Sequence, residues 1–477
     1  MRARFMKIFF IGICGTATGN AAILMSRLGH EVSGSDSGMY EPMKSALARA
    51  GLSAPEGWNP KRLEEFSPDL AVIGNAVSRM NPELEFVLGS RICEYTSLPE
   101  LIGKFLIGKR KSLVISGTHG KTTTTSLSAY LMRANRVDAG WLIGGVPFDL
   151  PEGGSNLGDF DAGSPFVIEG DEYDTAYFDK RSKFLHYRPH ILAVNNLEFD
   201  HADIFRDLYE VKRTFTHVRR IVPPDGLIIE NADDENIASL EPAPWTSIMK
   251  AGFDESADLR ISDFVQQEDW SAFTLSFGGK SKRIKWKMQG VFNARNAAMA
   301  CAGTAAALGT SPLELDLSSL ADFRGVRRRQ EVILDTPQIC AVEDFGHHPT
   351  AIALTIRSLR QKYPGRTILA AFEPRSNTAK TKALQSEFAQ SLCLADAAYV
   401  GAVNAAKIPP ENRMDTRAMA EAFPGKIFAF ASNAALLERL CDDAAGLASR
   451  GGRPVCVFFS NGAFDNIHRK FAQEFQA

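Results

Sequence analysis

Short apolar runs that end in glycine or in a cluster of polar residues recur along this chain, and stretches of helical spacing separate them. The first run covers residues 8–13 and leads into a glycine turn, a helical pattern over 20–28 and a second strand ending at Ser35-Asp36. Leu70-Ala71-Val72-Ile73 then stops at Gly74-Asn75. Further runs at 113–115, 166–168, 191–194 and 227–229 continue the pattern. Strands alternating with helices predict parallel sheets covered by helices. Between 259 and 288 the period drops to two, as in Phe273-Thr274-Leu275-Ser276-Phe277, which predicts antiparallel strands at the side of a mixed sheet. The alanine-rich stretch 293–308 predicts a helix. Runs at 339–342, 368–372, 398–400, 427–430 and 455–459 predict another open α/β sheet.

The predicted fold class is therefore α/β. Residues 1–109 form a Rossmann-like block, 110–326 a central block with a mixed sheet, and 327–477 a second Rossmann-like block. The basic, glycine-containing stretch 103–111 reads as a linker. A length of 477 residues fits about three domains at ~150 residues each. The net charge of −2, with 23% charged residues, gives no reason to expect nucleic acid or a membrane surface as partner. The seven cysteines stand singly, which argues against a disulfide framework or a metal cluster and fits a reducing cytosol. Arg2, Arg4 and Lys7 ahead of the run 8–14 mimic a signal peptide. The run is short and enters a glycine turn, so it reads as a strand. No stretch approaches the ~18 apolar residues of a membrane span. The expectation is a soluble, cytoplasmic protein.

The most informative chemistry lies in Ser116-Gly117-Thr118-His119-Gly120-Lys121-Thr122-Thr123-Thr124, between the run 113–115 and a helical pattern over 126–132. A strand, a glycine turn and a helix N-terminus together make a phosphate cradle. Backbone amides face the anion, a lysine adds a point charge and a hydroxyl is placed for Mg²⁺. The usual spacing puts a glycine where Ile115 stands, so this is a shorter variant. Elsewhere Gly12, Gly15 and Gly19 follow the first strand in a G-x-x-G-x-x-x-G spacing that departs from the dinucleotide fingerprint. A diphosphate at that helix N-terminus, beside Thr16, still fits, and Asp36 stands where such folds place a ribose or turn contact.

Other polar clusters also follow strands. Glu169-Gly170-Asp171-Glu172-Tyr173-Asp174 offers carboxylates for Mg²⁺, and residues 195–203 bring His201 as a further metal ligand. Arg327-Arg328-Arg329 stands at the last junction, where an arginine can neutralise charge in phosphoryl transfer. Asp344 sits in Glu343-Asp344-Phe345-Gly346-His347-His348-Pro349. Arg375, Ser376 and Asn377 follow another strand, at the end where open sheets bind ligands.

The strings GTHGKTTTT, EGDEYD, NNLEFDHADIF, GVFNARN, EDFGHHPT and FEPRSNT stand in the order found in the Mur ligases of peptidoglycan metabolism. The chain resembles that family over essentially its whole length. Within it, EGDEYDTAYFDKRSKF, FEPRSNT and SNGAFDNIH look most like the members that join UDP-N-acetylmuramate to the murein tripeptide L-Ala-γ-D-Glu-meso-diaminopimelate in cell-wall recycling. The resemblance implies an ATP- and Mg²⁺-dependent amide ligase working through an acyl phosphate. It assigns Gly117, Thr118, His119, Gly120, Lys121, Thr122 and Thr123 to the ATP phosphates, with Lys121 on the transferring phosphoryl group. Thr122, Glu169 and His201 take the metal, and Asn293 and Asn296 the adenine, with Phe292 standing where the family carries histidine. Arg329 and Asp344 reach ATP from the third domain. Gly12, Gly15, Thr16, Gly19 and Asp36 face the UDP-sugar, and Arg375, Ser376 and Asn377 the peptide. The alternatives are a UDP-N-acetylmuramate–L-alanine ligase and, in other classes, a nucleotide-dependent binding protein or a dinucleotide oxidoreductase.

Overall fold

The structure, a computed structural model, describes residues 5–41, 43–52, 54–406 and 408–476; Arg2 and Arg4 lie outside the described residues. Three sheets follow one another along the chain. The first is wholly parallel, in the order Glu31–Ser35, Lys7–Ile11, Leu70–Ile73, Glu94–Ser97. Its central strand is buried on both faces. Ile8 and Phe10 join one apolar cluster, while Phe9 and Ile11 join another with Leu63, Leu84 and Val87. Continuous burial of this kind is why that run carries no polar alternation.

The second sheet has ten strands, in which Lys111–Ser116 lies between Ile191–Val194 and Pro165–Gly170. Beyond Ile191–Val194 come the parallel strands Leu227–Asn231 and Ser247–Gly252, then Leu259–Gln266. The antiparallel meander Leu259–Gln266, Ser271–Phe277, Lys280–Trp286 completes that edge, as the period-two pattern predicts. Helices Lys121–Ala134 and Val291–Leu308 share the core of this block, the second being almost wholly buried through its alanines. Small side chains let the two helices and the sheet approach closely; a Cβ on Gly303 would stand 2.9 Å from Leu113.

The third sheet has the order Glu331–Asp335, Cys340–Asp344, Val455–Phe459, Ile368–Phe372, Ala397–Val400, Ile427–Ala429, with only the first strand antiparallel. Its strands Cys340–Asp344, Ile368–Phe372 and Val455–Phe459 carry the polar clusters at their carboxyl ends.

Three local expectations need correction. The stretch 103–111 is no linker: Ile102–Ile107 forms a π-helical turn whose Leu106 and Ile107 are buried. The apolar residues that the stretch contains are used as core, and Gly103 lies so close to the His186 carbonyl that a Cβ would clash. The phosphate-loop helix begins at Lys121 rather than 126, and the first helix is Thr16–Arg27 rather than 20–28. In the phosphate-loop helix, tertiary burial overrides the weak propensity of threonine. Thr122 to Thr125 are all buried, and Thr125 and Ser126 bond back to the carbonyls of Lys121 and Thr122 at 2.8 and 2.7 Å.

Candidate active site

Gly117 and Gly120 take φ of +129° and +78°, values that L side chains rarely adopt. Space is as tight as geometry: a Cβ on Gly120 would lie 2.5 Å from Asn296 Oδ1, and one on Gly117 2.9 Å from the Asn196 amide nitrogen. The helix that follows has no side-chain cap and no acid in its first turn. Such a terminus presents free amides and a positive dipole end, which suits a phosphate.

The segment after strand Ile191–Val194 shapes this loop. The Asn196 side chain accepts from the His119 amide at 2.7 Å and donates to its carbonyl at 3.1 Å. Asn195 donates to Thr124 Oγ1 at 2.8 Å, and the Glu198 amide to Thr118 Oγ1 at 2.9 Å. Asn293 and Asn296 are both buried against the base of the loop. Asn296 accepts from Thr124 at 3.2 Å and donates to Asn293 at 3.1 Å, so these amides hold helix Val291–Leu308 to the loop.

Charges gather on the open side. Lys121 Nζ donates to the Gly117 carbonyl at 2.7 Å and to Glu172 Oε2 at 2.9 Å. The other Glu172 oxygen faces His201 Nε2 at 3.2 Å. Burial alone would lower the pKa of Lys121, but Glu172 and Asp171 outweigh it and raise it. His201 is likewise pulled down by burial and then pushed up to about 9 by Glu172 and Asp200. Thr122 Oγ1 donates to Glu169 Oε2 at 3.0 Å, and the Gly144 amide donates to Oε1 at 2.6 Å. Burial raises the Glu169 carboxyl above its usual range.

Glu169 and His201 therefore do not meet directly. His201 joins Asp171 and Glu172, whose ligand atoms lie with its own within 4.8 Å of one another, while Glu169 stays with Thr122. Four acids in one short stretch left open which of them turns toward Lys121, and only the bend after the strand decides it. His201 holds a left-handed backbone, φ +55°, steadied by Asp200, which accepts its amide at 2.7 Å.

The third block closes over this site. Arg329 Nη2 reaches Thr122 Oγ1 at 3.2 Å, and its guanidinium lies over Phe345 at 4.5 Å. Its two neighbours go elsewhere, Arg328 to Glu343 at 2.7 Å and Arg327 over Phe148. Asp344 is buried, accepting amides from Gln330 and Gly346 at 2.9 and 2.7 Å. Asn377 donates to Asp203 at 2.8 Å and Thr378 to Asp200 at 2.6 Å, so the loop after strand Ile368–Phe372 docks on the segment carrying His201. Ser376 caps that loop through the Ala379 amide, and Arg375 is half exposed, 3.6 Å from Glu373. His348 and Thr350 bind the Phe199 carbonyl and Glu198, at 3.1 and 2.5 Å. Glu198 and His348 are residues that sequence patterns did not single out for a role; Glu198 is held at about 2, with burial opposing and the two histidines His119 and His348 lowering it. His348 itself is lowered to about 4 by burial and by His119.

In the first block, Gly12, Gly15, Thr16 and Gly19 form the turn and first helical turn after Lys7–Ile11. Gly12 has φ +91°. Asp36 accepts the Cys14 amide at 2.8 Å, the turn contact of its two expected roles.

Models of the Mur ligase family match three successive stretches: the "Mur ligase family, catalytic domain" over residues 7–110, the "Mur ligase middle domain" over 115–304 and the "Mur ligase, glutamate ligase domain" over 328–450. Over 398 residues the chain is 40% identical to the UDP-N-acetylmuramate–L-alanyl-γ-D-glutamyl-meso-2,6-diaminoheptandioate ligase of Escherichia coli, covering 83% of this chain and 84% of that one. The chain belongs to the Mur ligase family. A Mur ligase named UDP-N-acetylmuramate–L-alanine ligase, from Acidithiobacillus ferrooxidans, is 31% identical, with 88% of each chain covered. Among solved Mur ligases, the murein peptide ligase of Psychrobacter arcticus matches with a TM-score of 0.71 and 33% identity over 98% of both chains. The three-sheet architecture is thus that of the family.

Proposed function

We propose that this Mur ligase joins UDP-N-acetylmuramate to the tripeptide L-Ala-γ-D-Glu-meso-diaminopimelate at the expense of ATP, in the cytoplasm, as a step of peptidoglycan recycling. Residues 1–109 take the UDP-sugar through the turn Gly12, Gly15, Thr16, Gly19 and Asp36. Residues 110–326 hold ATP, and 327–477 bring the peptide. One observation carries the reading beyond family membership: the loop bearing Arg375, Ser376 and Asn377 touches Asp203, two residues from His201, beside the phosphate loop. An acceptor held by that loop arrives where a phosphorylated carboxylate would stand.

The chemistry follows from the charges. A carboxylate is a poor electrophile, and its acyl phosphate is a good one. The loop 117–120 and the amides of the first helical turn hold the phosphates, while Lys121 meets the transferring phosphoryl group by exchanging its contact with Glu172. Asn293 and Asn296 stand on the adenine side, and Arg329 and Asp344 close on the nucleotide. Thr122 with Glu169, and His201 with Glu172 and Asp171, are two separate oxygen-rich groups, each of a chemistry that would hold Mg²⁺. That ion, when bound, neutralises charge on the phosphate oxygens. The γ-phosphoryl group passes to the carboxylate as ADP departs; the neutral amine of the tripeptide's alanine then attacks the acyl carbon, gives up one proton to solvent, and phosphate leaves.

The test is phosphate release with UDP-N-acetylmuramate and each amine in turn. Release that requires both the sugar and the tripeptide supports the reading. A preference for free L-alanine would instead make the chain an alanine-adding ligase, and release without any amine would fit a nucleotide-dependent switch.

A further inference from the structure

A second cluster of ligand-type side chains lies where the phosphate loop meets the third block, apart from Thr122, Glu169 and His201. His119, Glu198 and His348 each offer one ligand atom, all within 4.8 Å of one another. His119 Nε2 lies 3.6 Å from Glu198 Oε1, and His348 Nδ1 lies 3.5 Å from Glu198 Oε2. The two imidazole rings stand 4.5 Å apart. Four ligands on a tetrahedral ion at ~2.0–2.1 Å stand roughly 3.3–3.4 Å from one another, so the two imidazole–carboxylate pairs are already close to that spacing, while the two imidazole nitrogens, within 4.8 Å of one another, would have to draw together. His119 Nε2 is buried and has no hydrogen-bond partner among the described residues, although a buried ring nitrogen ordinarily finds one. The outer contacts also suit a ligand set. His348 Nε2 faces the Phe199 carbonyl at 3.1 Å, which places the proton there; Nδ1 keeps its lone pair, which accepts the Thr350 amide at 3.3 Å and would exchange that long cap contact for the ion. Thr350 Oγ1 steadies the Glu198 carboxylate at 2.5 Å.

We propose that His119, Glu198 and His348 form a site for a divalent transition ion of the Zn²⁺ class, with a water as the fourth ligand. Two imidazoles and one carboxylate favour such an ion over Mg²⁺, which prefers oxygen. The site is built from three segments: the phosphate loop, the stretch after strand Ile191–Val194, and the N-cap of helix Pro349–Lys362. An ion there ties the third block to the phosphate loop and holds the closed arrangement.

Untagged, full-length protein freed of metal is titrated with Zn²⁺ against a chromophoric chelator, without nucleotide, and separately loaded with Co²⁺. The parent binds one Zn²⁺ that raises the melting temperature, and its Co²⁺ form shows the intense visible bands of a four-coordinate ion. His119→Gln and Glu198→Gln each lose that equivalent and its bands, whereas His201→Gln, which alters the other cluster, keeps them. Melting curves establish which variants are folded. The proposal is overturned if the parent binds no Zn²⁺, if its Co²⁺ form shows only the weak bands of a six-coordinate oxygen site, or if the ion is lost with His201→Gln and kept in His119→Gln.

Discussion

The ammonium of Lys121 bonds both the Gly117 carbonyl and the buried Glu172 carboxylate, so replacing it does two things. Lys121→Ala should abolish ligation, at a cost of roughly 3–4 kcal/mol or more in the transition state. It should also leave the buried Glu172 with His201 as its remaining charged partner, destabilising the fold by about 1–3 kcal/mol. The pair Lys121→Met with Glu172→Gln separates the two effects: calorimetry should show stability regained while phosphate release stays absent. UDP-sugar binding, on another block, should survive in both. Turnover close to the parent's in Lys121→Ala would remove the phosphate-loop assignment. The neighbouring His201 gives a pH signature. Its pKa is raised from 6.5 to about 9, so the stability it contributes is fully present below about pH 6.5 and is lost as pH rises through about 9. The shift amounts to about 3 kcal/mol at most. Melting temperatures in chelator should therefore fall across that window in the parent and stay flatter in His201→Gln. Equal slopes would show that the Glu172 contact is not made in solution.

At the scale of elements, the strand–glycine turn–helix unit could be read from sequence because each part has its own signal: an apolar run, two glycines and a lysine. Its helix start could not, since threonines are weak helix formers and only burial against helix Val291–Leu308 makes Lys121–Ala134 continuous. The same limit applies to the site. Glu169 and His201 stood out as polar residues at strand ends, but a bend in the chain gives His201 to Glu172, and nothing in the spacing specifies that bend. The stretch 103–111 reads as a linker because its glycines and lysines mask the buried turn Ile102–Ile107. Gly120 offers the sharpest test of the loop. With φ +78° and Asn296 Oδ1 2.5 Å from the place of a Cβ, Gly120→Ala strains the backbone and crowds a buried amide together. A loss of about 1–3 kcal/mol in stability is expected, with ATP affinity falling further as the cradle opens. Isothermal titration with an ATP analogue would check it, and unaltered affinity would show that the loop does not shape the nucleotide site.

For the molecule as a whole, the question is which acceptor the closed arrangement admits. The third block reaches the central one through polar groups: Arg329 on Thr122, Thr350 on Glu198, Thr378 on Asp200 and Asn377 on Asp203. The last two come from the loop that also carries Arg375, so docking of that loop and binding of an acceptor are linked in space. A tripeptide brings several carboxylates, whereas L-alanine brings one, and an arginine fork suits a carboxylate through both oxygens. Arg375 is half exposed, and its 3.6 Å approach to Glu373 is a weak surface pair, so removing it should change stability by no more than about 0.5 kcal/mol. Arg375→Ala should accordingly melt like the parent yet use the tripeptide poorly, through a raised KM with kcat nearly kept, while its slight use of L-alanine is unchanged. Thr378→Val acts differently. It leaves the buried Asp200 short of a donor and loosens the docked loop, so kcat should fall with every acceptor. Steady-state kinetics with both amines on both variants distinguish the roles. If Arg375→Ala lost activity equally with tripeptide and L-alanine, the residue would be supporting the loop rather than reading the acceptor, and specificity would have to lie elsewhere in the third block.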